Sequence, residues 1–212
     1  MSTIRIAALS VSPPWWRRSL TGAKKGRPIL ITLRMLAPLL LAAAAGADDM
    51  PRYSSTGEIS VPADYRDWIF LSSGLNMNYS PGGSDAGGDA FDNVFVDPAS
   101  WRAFKATGRW PEGTIFVKEG RHGETKGSIN RTGQFQDGEA TYVELHIRDS
   151  ERFASGWGFF ELQGNAPARV LPTTATCYSC HQQNGAVETT FVQFYPTAKP
   201  VAVKAGTFDA KK

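Results

Sequence analysis

The stretch Thr141-Tyr142-Val143-Glu144-Leu145-His146-Ile147 decides the fold of this chain. Every second position from Val143 to Ile147 is apolar, and Glu144 and His146 stand between these positions. Successive side chains of a β-strand point to opposite faces, so this alternation predicts a strand with one apolar face and one polar face. Strands of this kind are typical of antiparallel sheets in which one face packs on the core and the other face is exposed to solvent.

Four further segments have the composition of strands. They are rich in β-branched and aromatic residues and are bounded by turn residues such as glycine and asparagine. These predicted strands are residues 93–96, 114–118, 156–162 and 190–194. Turns are predicted between them, including residues 120–130 and 136–138.

Short helices are predicted between the strands. Asp97-Pro98 supplies an N-cap and a first-turn proline for a helix that carries Trp101 and Phe104 and ends near Gly108. Residues 62–68 are predicted to open another short helix. The sequence therefore predicts an α+β fold, a predominantly antiparallel β-sheet with a few short helices.

The first 47 residues differ in composition from the rest. They contain seven Lys or Arg and no Asp or Glu, then an apolar run at 35–45 that closes with Ala45-Gly46-Ala47. This pattern predicts a secretory signal peptide that is cleaved near Ala47, and therefore export to the periplasm. The run is shorter than the roughly 20 apolar residues of a membrane span. A start of translation at Met35 and a twin-arginine signal at Arg17-Arg18 are alternatives.

Removing the signal peptide changes the charge of the chain. The full chain has 23 basic and 20 acidic residues, and 16 basic residues remain against the same 20 once the first seven are gone. The basic character thus belongs to the signal peptide, which argues against nucleic acid as a partner. We expect a flexible leader at 48–60, a single domain at 61–200 and a tail at 201–212, with no membrane span.

The only two cysteines lie in Cys177-Tyr178-Ser179-Cys180-His181. C-x-x-C-H is the spacing for covalent haem c attachment, in which two thiols bond to the porphyrin and the histidine ligates the iron. We therefore predict one haem c per chain, held by Cys177 and Cys180, with His181 as the metal ligand. A redox-active disulfide is an alternative. A zinc site is another, although it would need further ligands and only His122 and His146 remain as histidines.

A second axial ligand is hard to find. No methionine follows His181, and among residues 48–212 only Met50 and Met77 exist. A five-coordinate iron with an open distal side is therefore expected, and such a site binds or transforms a small molecule. An electron-transfer cytochrome that uses Met77 as its second ligand is an alternative.

Five stretches together resemble the cytochrome P-460 family, which includes cytochrome c′-β. They occur in the order of the family over about residues 60–197. The stretches are Tyr65-Arg66-Asp67-Trp68, Asn93-Val94-Phe95-Val96-Asp97-Pro98, Gly108-Arg109-Trp110-Pro111-Glu112-Gly113-Thr114-Ile115-Phe116-Val117-Lys118-Glu119, Gly156-Trp157-Gly158-Phe159-Phe160 and the C-x-x-C-H motif. The resemblance implies a strand-rich haem protein, and it suggests a homodimer.

The resemblance implies one further site residue, and the polar face of the strand at 141–147 offers a second. Lys118 matches the family lysine that bonds covalently to the porphyrin. Glu144 is our candidate for the carboxylate that takes protons during the oxidation of hydroxylamine, and His146 on the same strand face could reach the same side of the haem. The implied reaction oxidises hydroxylamine, with nitric oxide, to nitrogen oxides such as nitrous oxide, with electrons leaving to a periplasmic acceptor such as a cytochrome.

The other branch of the family implies a different function. Resemblance to cytochrome c′-β implies a protein that binds or scavenges nitric oxide without turnover. In that branch, aromatic residues cap the distal pocket. Trp68, Phe95 and Phe116 are candidates for such a cap. They are equally candidates for the core, because buried aromatic residues are common.

Overall fold

The computed structural model describes residues 51–77, 89–164 and 166–212. Its centre is a five-stranded antiparallel sheet whose strands lie in chain order. The strands are β1 (Ile69–Leu75), β2 (Ala90–Val96), β3 (Ile115–Glu124), β4 (Phe135–Arg148) and β5 (Trp157–Leu162). The α-helices of the described residues are α1 (Pro98–Thr107), α2 (Thr176–Asn184) and α3 (Lys199–Ala205). The predicted α+β class is therefore confirmed, whereas the predicted signal peptide at 1–47 lies outside the described residues.

Helix α1 begins and ends where the sequence predicts. The side chain of Asp97 accepts a hydrogen bond from the backbone N–H of Ser100 at 2.7 Å, as an N-cap does. Its other oxygen accepts from the N–H of Ile115 at 3.0 Å, so the same carboxylate ties the helix to β3. Gly108 ends the helix with φ of 70°, a left-handed conformation that glycine adopts without strain. A 3₁₀ turn at Tyr65–Asp67 marks the other predicted helix.

Strands β3 and β4 are longer than predicted. Part of the glycine-rich stretch 120–130 extends β3, and the predicted turn at 136–138 lies inside β4. A register shift between Gly120 and His122 lets the pairing continue past the glycine. His122, predicted to sit in a turn, is exposed on β3. Strand β1 was not predicted, because its serines and glycine resemble a loop.

The predicted strand at 190–194 is wrong. Residues 187–190 form a tight turn in which the backbone N–H of Thr190 donates to the carbonyl of Val187 at 2.9 Å. The hydroxyl of Thr190 donates to the same carbonyl at 2.7 Å. A 3₁₀ turn at Val192–Phe194 follows. The β-branched residues of this segment therefore form turns that pack on the sheet, and they do not form a sixth strand.

Each face of the sheet has its own core. On one face, Val117, Leu145 and Phe160 pack with Ile59 and Tyr65 from the preceding segment. Ile59 is buried and forms bridges to both Tyr53 and Ala168, so the packed chain begins before residue 61.

The opposite face supports the C-terminal segment. There Phe116 and Trp157 pack with Phe104 of α1 and Ala202 of α3. The chain stays packed beyond the predicted boundary at 201, because the N–H of Asp209 donates to the carbonyl of Ala186 at 2.8 Å. None of the helices in the described ranges is both long and apolar enough to cross a bilayer.

Candidate functional site

Helix α2 carries all three residues of the predicted haem attachment. Cys177, Cys180 and His181 are spaced by three and four positions, which places them on one side of a helix. Both cysteines are free thiols of intermediate exposure. Burial raises the pKa of the Cys177 thiol, and the charges of Glu144 and Glu161 raise it further. The helix therefore presents two unpaired thiols and an imidazole together.

The imidazole of His181 is oriented by the backbone. Its Nδ1 lies 2.7 Å from the carbonyl oxygen of Thr189, an arrangement in which Nδ1 donates. This bond fixes the tautomer and leaves Nε2 with its lone pair, the state in which histidine ligates a metal. Burial lowers the pKa of His181, although the bond to the carbonyl works in the opposite direction. A neutral imidazole with one orienting bond is ready to act as a ligand.

Aromatic rings enclose His181. The centroid of its ring lies 4.2 Å from that of Phe191, 4.7 Å from Phe159 and 4.8 Å from His146. Neither Phe159 nor Phe191 was predicted to lie beside the histidine. Phe159 lies in the quoted G-W-G-F-F stretch, but nothing in the pattern distinguishes a ring beside the histidine from a core ring.

His146 shares a face of β4 with Glu144, as the alternation predicts. It is buried and contacts the ring of His181, and its Nε2 lies 3.3 Å from the hydroxyl oxygen of Thr189. Burial, together with the charge of His181, lowers the pKa of His146 well below its ordinary value. His146 is therefore a neutral neighbour of the predicted iron ligand.

Lys118 and Glu144 face each other across β3 and β4. They occupy directly paired positions, and Nζ of Lys118 lies 3.4 Å from Oε2 of Glu144. Oδ1 of Asp92 lies 3.7 Å from the same amine. The ring of Tyr142 lies 5.1 Å from it, and the Tyr142 hydroxyl donates to Asp92. The contacts of Asp92 and Tyr142 with Lys118 were not predicted. They depend on the pairing of β2 and β4 with β3, which the sequence does not show.

The electrostatics of this cluster favour a charged amine. Burial by itself would lower the pKa of Lys118, but the carboxylates of Glu144 and Asp92 outweigh it and raise the pKa. Burial raises the pKa of Tyr142 to about 12, and its hydrogen bond to Asp92 adds to the effect. The side chain of Glu144 is 46% exposed, so this carboxylate is only partly buried.

The two groups of residues lie on one face of the sheet. The pair Lys118 and Glu144 is followed two positions along by the pair Phe116 and His146. The rings of Phe116 and His146 stack with centroids 6.0 Å apart. Lys118 and Glu144 therefore lie two residues along their strands from Phe116 and His146. His146 in turn contacts His181.

Other candidates of the sequence analysis lie elsewhere. Phe95 is buried, and Trp68 packs, in the core that contains Val117. Since successive residues of β3 point to opposite faces, this core lies on the other side of the sheet from Lys118. Phe95 and Trp68 therefore do not form an aromatic cap over the Lys118 side, and Phe116 alone of the three lies on that face. Met77 is 65% exposed just beyond β1, whereas His181 contacts β4 and β5.

The residues present fit a covalently attached haem. Two free thiols and an imidazole with its Nδ1 engaged are the donor set that this group requires. The rings of Phe159 and Phe191 beside His181 would supply apolar contacts to a porphyrin. In the described ranges, no three His, Cys, Asp or Glu side chains are grouped so as to hold a metal ion by themselves.

One of two comparisons with known proteins places the chain in a family. A search of curated proteins found no significant match. A model of the family described as Cytochrome P460 matches residues 62–192. This match spans more than half of the chain, contains the C-x-x-C-H motif, Lys118 and Glu144, and confirms the family that the sequence motifs suggested. The chain belongs to the cytochrome P460 family, whose members are haem proteins.

Proposed function

We propose that this protein is a periplasmic c-type cytochrome that oxidises hydroxylamine in the presence of nitric oxide. The observation that carries the proposal is the pairing of Lys118 with Glu144 on the sheet face that also holds His146, the neighbour of His181. The resemblance implies cofactor modification at Lys118, and the polar face of β4 makes Glu144 the candidate for proton transfer. The family match supports the haem, and the signal-like N-terminus supports export.

Three residues of α2 hold the haem in this proposal. Cys177 and Cys180 form the two thioether bonds of one haem per chain, and His181 ligates the iron through Nε2. The carbonyl of Thr189 keeps the imidazole in the tautomer that leaves Nε2 free. When bound, the haem supplies the redox chemistry, and the protein supplies attachment, orientation and proton transfer.

The proposed reaction balances with one electron and one proton released. Hydroxylamine and nitric oxide give nitrous oxide, water, one proton and one electron. Glu144 accepts the proton, which its partial exposure allows it to pass on to solvent. The electron leaves to a periplasmic acceptor such as another cytochrome.

Lys118 is proposed to bond to the porphyrin, as the family lysine does. The new bond replaces one hydrogen on Nζ and one on a porphyrin carbon, so its formation is a two-electron oxidation that consumes an oxidant such as hydrogen peroxide. The amine must lose its charge before it can act as a nucleophile. Release of its proton to Glu144, the adjacent carboxylate, provides that step.

The same ion pair favours a second candidate. A lysine that two carboxylates hold in the protonated form is a poor nucleophile. If Lys118 stays unmodified, the protein is a nitric oxide binder of the cytochrome c′-β type without turnover.

The optical spectrum of the ferrous holoprotein distinguishes the two candidates. We expect a strongly red-shifted Soret band that is lost in Lys118→Ala and kept in Lys204→Ala, an exposed lysine of α3. Hydroxylamine oxidation with an artificial acceptor should follow the same pattern. An ordinary high-spin haem c spectrum that is unchanged in Lys118→Ala would exclude the cross-link and leave nitric oxide binding as the function.

A further inference from the structure

The turn at residues 187–190 supplies the hydrogen-bond acceptor for His181. We call these four residues the proximal turn. Besides the carbonyl of Thr189, the turn contacts α2 closely at Gly185. A Cβ added to Gly185 would lie 2.7 Å from the backbone carbon of Thr189 and 2.7 Å from the nitrogen of Thr190. The position of this turn therefore determines how the carbonyl meets Nδ1.

The backbone of the proximal turn is held in an unfavourable conformation. Glu188 has φ of 54°, which is rare for a residue with a side chain. Conformations of this kind persist where the surroundings over-determine them. The cause of this conformation must lie in what holds Glu188 and its neighbours.

An ion-pair chain holds the side chain of Glu188. Nη1 of Arg148, the last residue of β4, lies 2.6 Å from Oε1 of Glu188. Nε of the same arginine lies 2.9 Å from Oε1 of Glu112. Nη1 of Arg109 approaches Oε1 of Glu188 at 4.0 Å. The side chains of Arg148 and Glu188 are mostly buried, so water screens this pair less than a surface pair.

A second anchor holds the other end of the turn. Nε1 of Trp110 donates to the hydroxyl of Thr190 at 3.0 Å, and both groups are buried. Arg109, Trp110 and Glu112 all belong to the stretch that precedes β3 and that gave the sequence its family resemblance. This stretch thus contacts the proximal turn at two residues. Trp110 bonds directly to Thr190, and Glu112 is linked to Glu188 through Arg148.

We propose that the segment Arg109-Trp110-Pro111-Glu112, acting through Arg148 and Glu188, fixes the Thr189 carbonyl against Nδ1 of His181 and so sets the reduction potential of the haem. Arg148 and Glu188 are positioning residues: they touch neither the haem ligand nor substrate. The inference rests on the proposed function only in assuming that His181 ligates a haem iron.

The physical basis is the strength of the bond at Nδ1. A hydrogen bond to a carbonyl makes the imidazole a more basic ligand. A more basic ligand donates more charge to the iron and stabilises the ferric state, so the potential falls. Releasing the proximal turn weakens this bond, and the potential then rises.

The test compares Glu188→Gln and Arg148→Gln as holoproteins. We expect a positive shift of the midpoint potential in both, and a lower iron–histidine stretching frequency in the ferrous resonance Raman spectrum of both. Simple electrostatics gives a different result, because loss of a negative charge raises a haem potential and loss of a positive charge lowers it. Since the two residues act as a pair, the double variant should shift no further than the larger single shift.

Two further variants complete the design. Glu188→Gly accepts the positive φ but removes the carboxylate, and we expect the same changes in it as in Glu188→Gln. Arg66→Gln is the control, because Arg66 also pairs with a buried glutamate, Glu119, but packs with the opposite core through Tyr65. It should leave both the potential and the stretching frequency unchanged.

Several outcomes would overturn the inference. Shifts of opposite sign in Glu188→Gln and Arg148→Gln would assign the effect to charge alone. An unchanged stretching frequency in Glu188→Gln would overturn it whatever Arg148→Gln does, including a failure of that variant to fold. If the unmodified protein carries no covalent haem in its alkaline pyridine spectrum, both this inference and the proposed function fail. If it does carry haem and the variants match Arg66→Gln, only this inference fails.

Discussion

Nζ of Lys118 lies 3.4 Å from Oε2 of Glu144, at directly paired positions of two neighbouring strands. A second carboxylate, that of Asp92, lies 3.7 Å from the same nitrogen. One amine thus stands between two acidic groups on three adjacent strands. The charge state of Lys118 therefore depends on residues that are far from it in sequence.

The first prediction concerns this charge state. In protein purified without haem, Glu144→Gln and Asp92→Asn should each lower the pKa of Lys118, because each removes a negative charge that stabilises the ammonium form. Lys118 should then react faster with an amine reagent at mildly alkaline pH, as measured by peptide mass spectrometry. Glu161→Gln is the matched control, since Glu161 pairs with Glu144 on the side away from β3. Equal rates in Glu144→Gln and Glu161→Gln would contradict the assignment.

A second prediction concerns turnover. Glu144→Gln should leave the haem spectrum intact and reduce hydroxylamine oxidation by roughly 10²–10⁴-fold, the usual contribution of a general base. Steady-state rates with an artificial electron acceptor measure the effect, again with Glu161→Gln as the control. Unchanged turnover in Glu144→Gln would remove this carboxylate from the mechanism.

Haem attachment itself provides a third prediction. Cys177→Ala and Cys180→Ala should each retain haem through one thioether, whereas the double variant should lose all haem on extraction with acidified organic solvent. His181→Ala should keep the covalent bonds but change the spectrum, because it removes the ligand and leaves both thiols. Ser179→Ala, at the exposed position between the cysteines, is the control. Haem that withstands extraction from the double variant would refute attachment through these thiols.

The opposite face of the sheet gives a prediction about acid stability. The buried carboxylate of Glu119 accepts from Nε of Arg121 at 2.7 Å, from Nε of Arg66 at 3.2 Å and from Nδ2 of Asn93 at 3.2 Å. The hydroxyl of Tyr65 donates to it as well. Although burial alone would raise the pKa of Glu119, these bonds outweigh it and hold the pKa below the ordinary value of 4.5.

The sign of the pH dependence follows from this lowered pKa. The charged form of Glu119 stabilises the fold above the unfolded-state pKa near 4.5, and this stabilisation is lost as the pH falls through the lower folded-state value. Glu119→Gln should therefore cost about 3 kcal/mol at pH near 7, by the scale for breaking buried ion pairs. The difference from the unmodified protein in urea unfolding should shrink below about pH 4.5. A difference that is independent of pH would contradict this account.

A last prediction concerns the close contact between α2 and the proximal turn. Gly185→Ala should destabilise the protein by about 1–3 kcal/mol, as overpacking does, because the new methyl group meets backbone that cannot move aside easily. Thermal unfolding measures the loss, and Gln182→Ala on the exposed side of α2 is the control. A melting temperature equal to that of the control would mean that the turn yields without cost.

The fold was predictable where the pattern along the chain is local. The alternation at 141–147 predicts β4, and Asp97-Pro98 with Gly108 predicts both ends of α1. Strand β1 escaped prediction because it is an edge strand with polar residues. The segment 190–194 was misassigned because a tertiary contact, from Trp110 to Thr190, stabilises a turn in a sequence of strand composition.

The candidate site was predictable only in part, for the same reason. C-x-x-C-H is recognised by its spacing, Lys118 was assigned by resemblance, and Glu144 was assigned from the polar face of its strand. Their partners Asp92, Tyr142 and Thr189 depend on strand pairing and on the approach of the C-terminal segment to the sheet. No periodicity in the sequence reports such contacts, because the residues involved are distant along the chain.

The order of the strands has a consequence for how the protein is made. Each strand pairs with its predecessor, so the sheet needs only contacts of low sequence separation, which form quickly and with little loss of chain entropy. The two cysteines come after the last strand. The sheet can therefore be complete while the thiols are still accessible for the proposed attachment of haem. Under the proposed haem attachment, maturation closes the segment after β5 over a preformed sheet, and a haem-free chain should retain its five strands while that segment is less fixed.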